Sequence, residues 1–210
     1  MRQRLIAVAA LVVFAAAGAD AQRRGGAATR TEPAQIECQA PLGVGIESKR
    51  AYCDVLTGRN QEEGIQVIIP PHTGTVTLRF DLHNRHLYSE ELVKSGRGYR
   101  QYTARIGVLD DGNTLLSRFL IRTEFRSNAD LVERVAADTG TGVKAVAPTG
   151  IESLTLTLAA NVDRVSILGE NLTVVRPDSE IPDSFTAPGR PIAVVSNITL
   201  EYRPGPARRR

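Results

Sequence analysis

Three histidines, His72, His83 and His86, lie close together in this chain, and two of them share the string Asp81-Leu82-His83-Asn84-Arg85-His86. Neutral imidazoles and a carboxylate on one face can hold Zn²⁺ or a similar ion, so Asp81, His83 and His86 are the candidate metal ligands. On a strand, side chains alternate between faces, which puts Asp81 and His83 together and opposite Phe80 and Leu82. The spacing is not that of a helical His-Glu-x-x-His site, and a solvated strand face ending in a polar turn accounts for the same residues. A second candidate is a guanidinium row. Arg118, Arg122 and Arg126 recur with Leu116, Leu120 and Glu124 on one strand face, and Arg105 faces them from a neighbouring strand. With Tyr99 and Tyr102 nearby, such a row can grip a carboxylate, a sulfated glycan or the acidic edge of a partner. Cross-strand pairing through Glu124 is the competing use.

Other chemistry finds little support. There is no G-x-S-x-G elbow, and no serine stands out as a nucleophile. Asp110-Asp111-Gly112-Asn113 has oxygen ligands suited to Ca²⁺, but it lacks a closing Glu and reads more simply as a hairpin turn. Glu62-Glu63 and Glu90-Glu91 sit in polar stretches where adjacent carboxylates do not face one substrate. No cofactor motif is present: Gly96-Arg97-Gly98 and Gly140-Thr141-Gly142 lack the strand-to-helix setting of a phosphate loop.

The elements that must position these groups follow a period of two. In 75–82, Val76, Leu78, Phe80 and Leu82 alternate with polar residues, a half-buried strand. Residues 101–109 and 114–125 alternate likewise around the Asp-Gly turn and predict a β-hairpin. Further strands are expected at 65–69, 142–147, 152–159, 163–175 and 192–202. A helix is expected over 128–137, where Leu131, Val132, Val135 and Ala136 form one stripe, and a short helical turn over 89–95. The pattern predicts an all-β fold with one short helix: a two-sheet antiparallel β-sandwich of jelly-roll type, with a barrel as the alternative.

Residues 1–21 read as a cleaved signal peptide. Arg2 and Arg4 precede an apolar run from Leu5 to Ala17, and Ala19-Asp20-Ala21 offers a cleavage site. The run is shorter than the roughly twenty residues of a membrane span. Residues 22–34 read as a flexible basic linker, 35–203 as one β-sandwich domain and 204–210 as a disordered basic tail. In an oxidising compartment the two cysteines, Cys38 and Cys53, pair most simply as a disulfide. The net charge is +3. The leader contributes +1, residues 22–36 +2 and residues 201–210 +3, which leaves 37–200 at −3. A domain acidic in itself, with no Trp, is a poor nucleic-acid binder.

These observations describe an exported protein, periplasmic or extracellular, with no membrane span after cleavage and no cofactor. The leading functional reading is a non-catalytic binding or structural module for carbohydrate or another exported protein. The alternative is a metal-dependent hydrolase using Asp81, His83 and His86.

Overall fold

A computed structural model describes residues 28–136 and 145–206. The expected signal peptide, the first residues of the linker and the tail from 207 lie outside the described residues. In chain order the strands are β1 (Arg30–Pro33), β2 (Gln35–Glu37), β3 (Pro41–Val44), β4 (Ala51–Leu56), β5 (Ile65–Ile68) and β6 (His72–Tyr88). One short helix, α1 (Glu90–Lys94), separates these from β7 (Arg100–Asp110), β8 (Leu115–Phe125), β9 (Val135–Ala136), β10 (Ala145–Leu158), β11 (Arg164–Val175), β12 (Asp183–Phe185) and β13 (Pro191–Pro204).

They form the two-sheet antiparallel sandwich that the alternation predicts. One sheet runs β3-β4-β13-β6-β10-β9, with β1 also on β13. The other runs β2-β5-β11-β7-β8, with β12 also on β11. The core between them takes the even-numbered residues of β6 (Val76, Leu78, Phe80, Leu82). Opposite them lie Ala104, Ile106 and Val108 of β7, Ile121 and Phe125 of β8, and Val165 and Ile167 of β11. Strands with one face on a core must alternate, and these do. The Asp-Gly turn behaves as expected. Asp110 Oδ1 accepts from the N–H groups of Gly112 (2.9 Å) and Thr114 (2.8 Å), and Asn113 takes φ +62°.

Several boundaries differ from the sequence-based expectation. Over 128–136, the described part of the helix expected at 128–137, no α-helix forms. Only a single 3-10 turn, Asn128–Asp130, is present, capped reciprocally by Ser127 and Asp130. The chain then extends: the Val132 N–H reaches the Pro148 carbonyl (2.8 Å), and Val135 packs with Tyr52 and Val194 on the outer face of the β13 sheet. Tertiary hydrogen bonds and two β-branched valines outweigh the apparent helical stripe. The observed helix is the turn at 89–95, where Ser89 Oγ accepts from the Leu92 N–H. From residue 145 the strands expected at 142–147 and 152–159 are one strand, β10, broken in register between Thr149 and Glu152, while 142–144 lie outside the described residues. The end of the expected linker is ordered as β1. Arg30–Pro33 pair with Thr199–Tyr202, and the Tyr202 hydroxyl donates to Glu32 (2.6 Å). The stretch around the cysteines contains the β3–β4 pair, and Cys38 is bonded to Cys53.

Candidate functional site

The histidine cluster does not assemble. Because β6 runs unbroken through Asn84 to Tyr88, parity puts Asp81 and His83 on the outer face of the sheet and His86 on the core side. His83 is fully buried, and Gly150 O lies 2.7 Å from its Nδ1. A carbonyl can only accept, so Nδ1 carries the proton and Nε2 accepts from the Ser196 hydroxyl at 2.8 Å. Burial holds the His83 pKa below the ordinary imidazole value, which keeps the ring neutral in this role. Ser196 is 2% exposed, and this Ser–His pair binds β6 to β13 and β10. Asp81 accepts from Ser153 Oγ (2.7 Å) and Asn197 Nδ2 (3.1 Å), with Arg50 at 3.9 Å. Among the described residues no three His, Cys, Asp or Glu side chains are grouped to hold a metal ion.

The guanidinium row is partly assembled. Arg105 and Arg118 meet on the outer face of the β7–β8 hairpin, but both face Glu170, at 3.9 and 2.6 Å. Arg126 pairs with Glu124 (2.6 Å) and sits over the Tyr99 ring, while Arg122 stays exposed on the same face. Tyr102 is not on that face. It is even-numbered on β7, 6% exposed, and hydrogen-bonded to His86 Nδ1 inside the molecule. The row is therefore largely a set of surface ion pairs, across strands to Glu170 and along the chain to Glu124, each worth little.

A different group of residues converges at one end of the sandwich. There β6 and β11 finish, β7 and β13 begin, and α1 and β12 close the sides around a cleft of about 370 Å³. Core residues form its apolar lining: Val93 from α1, Tyr102 from β7, Leu172 and Val174 from β11, and Phe185 from β12. Four arginines approach it from separate elements. Arg85 is ion-paired with Asp54 (3.0 Å), whose carboxyl is pushed up by burial and held back by that guanidinium. Arg176 Nε lies 3.2 Å from Asp183 Oδ2 and 3.7 Å from Asp178 Oδ1.

The other two meet no carboxylate among the described residues. Arg100 donates to the carbonyls of Arg97 (2.9 Å) and Tyr99 (2.6 Å). The guanidinium of Arg190 stacks on the Phe185 ring at 3.9 Å. Arg190 is also held by its backbone, which exchanges hydrogen bonds with Thr57: N–H to Oγ1 at 3.1 Å, and carbonyl from the Thr57 N–H at 2.9 Å.

His86 lies against this cleft, stacked on Phe125 at 3.9 Å. Burial, with the nearby charge of Arg100, lowers its pKa to about 4, so the ring is neutral at neutral pH. Burial pushes the Tyr102 phenol the other way, upward, so both groups are neutral hydrogen-bonding surface. A larger groove of about 600 Å³ opens beside the disulfide, lined by apolar groups such as Ile36, Val44 and Ile198. Small-molecule sites combine an apolar wall with a few convergent polar groups, and the arginine cleft has that combination to a greater degree.

The fold and site together define a two-sheet β-sandwich with a basic, apolar-floored cleft at one end. No family model, curated protein or solved structure matches the chain.

Proposed function

We propose that this chain is an exported, non-catalytic binding module that seats its ligand in the cleft at the end of the sandwich. The observation that carries the reading is the pair Arg100 and Arg190, two guanidinium groups without carboxylate partners beside an apolar floor. Uncompensated cations in a partly desolvated hollow favour a ligand that brings its own negative or hydrogen-bonding groups. At 370 Å³ the cleft suits a small molecule, or one terminal sugar or side chain of a carbohydrate or exported protein partner. Export is supported by the leader pattern of residues 1–21 and by the Cys38–Cys53 disulfide. No helix among the described residues is long and apolar enough to cross a membrane. The alternative hydrolase needs Asp81, His83 and His86 on one metal, and their division between two faces of β6 gives it no support.

Thermal shift tests the reading with a panel of uronic-acid oligosaccharides, neutral glucans and acidic peptides. At least one probe should raise the Tm of the wild type, and Leu92→Trp, which fills the cleft from α1, should remove that shift. A probe whose shift survives Leu92→Trp moves the seat elsewhere. Chemical turnover of any bound probe removes the non-catalytic assignment.

A further inference from the structure

We infer that the ligand of this cleft is a small amphipathic organic anion, a carboxylate or sulfonate head carried on an apolar body. The inference rests on the cleft being the binding seat and adds the class of molecule that fits it.

The charge comes first. Arg100, Arg176 and Arg190 reach the cleft from the start of β7, the end of β11 and the approach to β13, while Asp183 is the one acidic residue in its lining. Asp183 already faces Arg176. Among the described residues the guanidinium of Arg100 donates to carbonyl oxygens and that of Arg190 lies on an aromatic face, neither meeting a carboxylate, while Arg176 Nε is answered by Asp183 at 3.2 Å and Asp178 at 3.7 Å. A stacked guanidinium keeps its N–H edges for in-plane acceptors, which is the geometry a carboxylate or sulfonate matches. The neutral states of His86 and Tyr102 add no competing charge at the floor.

The apolar half comes second. Behind the arginines the lining is Val93, Leu172, Val174 and the ring of Phe185, which are continuous with the main core. A bare inorganic anion would leave that wall in contact with water, and a neutral apolar molecule would leave the guanidinium groups unanswered. A molecule with both parts satisfies both halves, through burial of its body and charge-assisted hydrogen bonds to its head. The larger groove beside the disulfide offers the apolar half without the convergent cations.

The experiment is a fluorescence titration of the full chain with anilinonaphthalene sulfonate, an anionic probe with an aromatic body. Saturable binding is expected. Octanoate should displace the probe, and neither octanol nor inorganic phosphate should do so. Arg190→Gln and Arg176→Gln should each weaken binding about tenfold or more, the loss of a charge-assisted hydrogen bond. Arg190 is exposed and Arg176 half-buried, and an unchanged unfolding midpoint confirms that each variant still folds. Displacement by octanol as effective as by octanoate, or by phosphate alone, overturns the amphipathic-anion class. Binding that is lost in Leu92→Trp but unchanged in both arginine variants also overturns it, and leaves the cleft as the seat of some other ligand. Binding unchanged in Leu92→Trp overturns the cleft itself.

Discussion

His86 shows how one buried side chain ties stability to pH. Its ring is stacked on Phe125 and hydrogen-bonded to Tyr102 inside the molecule, and burial, with the Arg100 cation, opposes protonation in the folded state. The folded pKa of about 4 lies below the ordinary 6.5, so the unfolded chain binds the proton more tightly. Stability from this group is complete above the ordinary value and is lost as the pH falls from there towards 4. Between pH 7 and pH 4.5 the loss is roughly 2 to 3 kcal/mol, and His83, shifted in the same direction, adds to it. Denaturant midpoints at the two pH values should fall less in His86→Gln than in the wild type; equal falls would show that His86 does not titrate in this way. The sequence made the histidines visible but not their separation. That depends on β6 continuing past Asn84, and a polar Asn-Arg pair reads as a turn until the pairing of Asn84–Tyr88 with Ala145–Thr149 is known. The cleft arginines gave no signal, because Arg85, Arg100, Arg176 and Arg190 are scattered and only strand order brings them together.

At the scale of elements, β10 depends on a single glycine. Gly150 sits in the register break between Thr149 and Glu152 with φ +68°, and a Cβ there would fall on the Thr123 side chain. Its carbonyl also takes the His83 proton. Gly150→Ala should therefore cost about 2 to 4 kcal/mol, from left-handed strain and steric overlap together. A shift under about 0.5 kcal/mol in a denaturant titration would mean that the bulge relaxes freely. The disulfide acts on a different element: it fixes β3 and β4 beside β13 by closing fifteen residues of chain. Cys38→Ala with Cys53→Ala should lower stability by roughly 3 kcal/mol, read as a reduced thermal midpoint with native far-ultraviolet dichroism at low temperature. Strands bounded by turn residues, such as the β7–β8 hairpin, were legible in the sequence because their chemistry is local. The helix expected over 128–137 was misread because Val135 packs on partners distant in sequence, Tyr52 and Val194, and the Val132 N–H is taken by Pro148, and no local pattern reports that.

At the scale of the whole molecule, the two sheets divide the labour. Their facing sides supply one continuous core, and their ends, where chain reversals leave the strands uncovered, supply the cleft. The all-β character was legible from alternation, whereas the order of strands was not, since nothing in a strand's own residues names its neighbour. That order has a consequence in time. β13 is the last of the described strands, yet it lies in the middle of its sheet and pairs with β1, β4 and β6. Until residues 191–204 are available, this sheet is three unconnected pieces, β3–β4, β6–β10–β9 and a lone β1, so its assembly must wait for them. A fragment ending at residue 190 should stay unfolded by circular dichroism, and adding a peptide of residues 191–206 should restore the native spectrum; a fragment that folds unaided would show that the sheet closes without its central strand. The late place of β13 in the chain leaves the other strands of its sheet joined by loops before they are joined by hydrogen bonds.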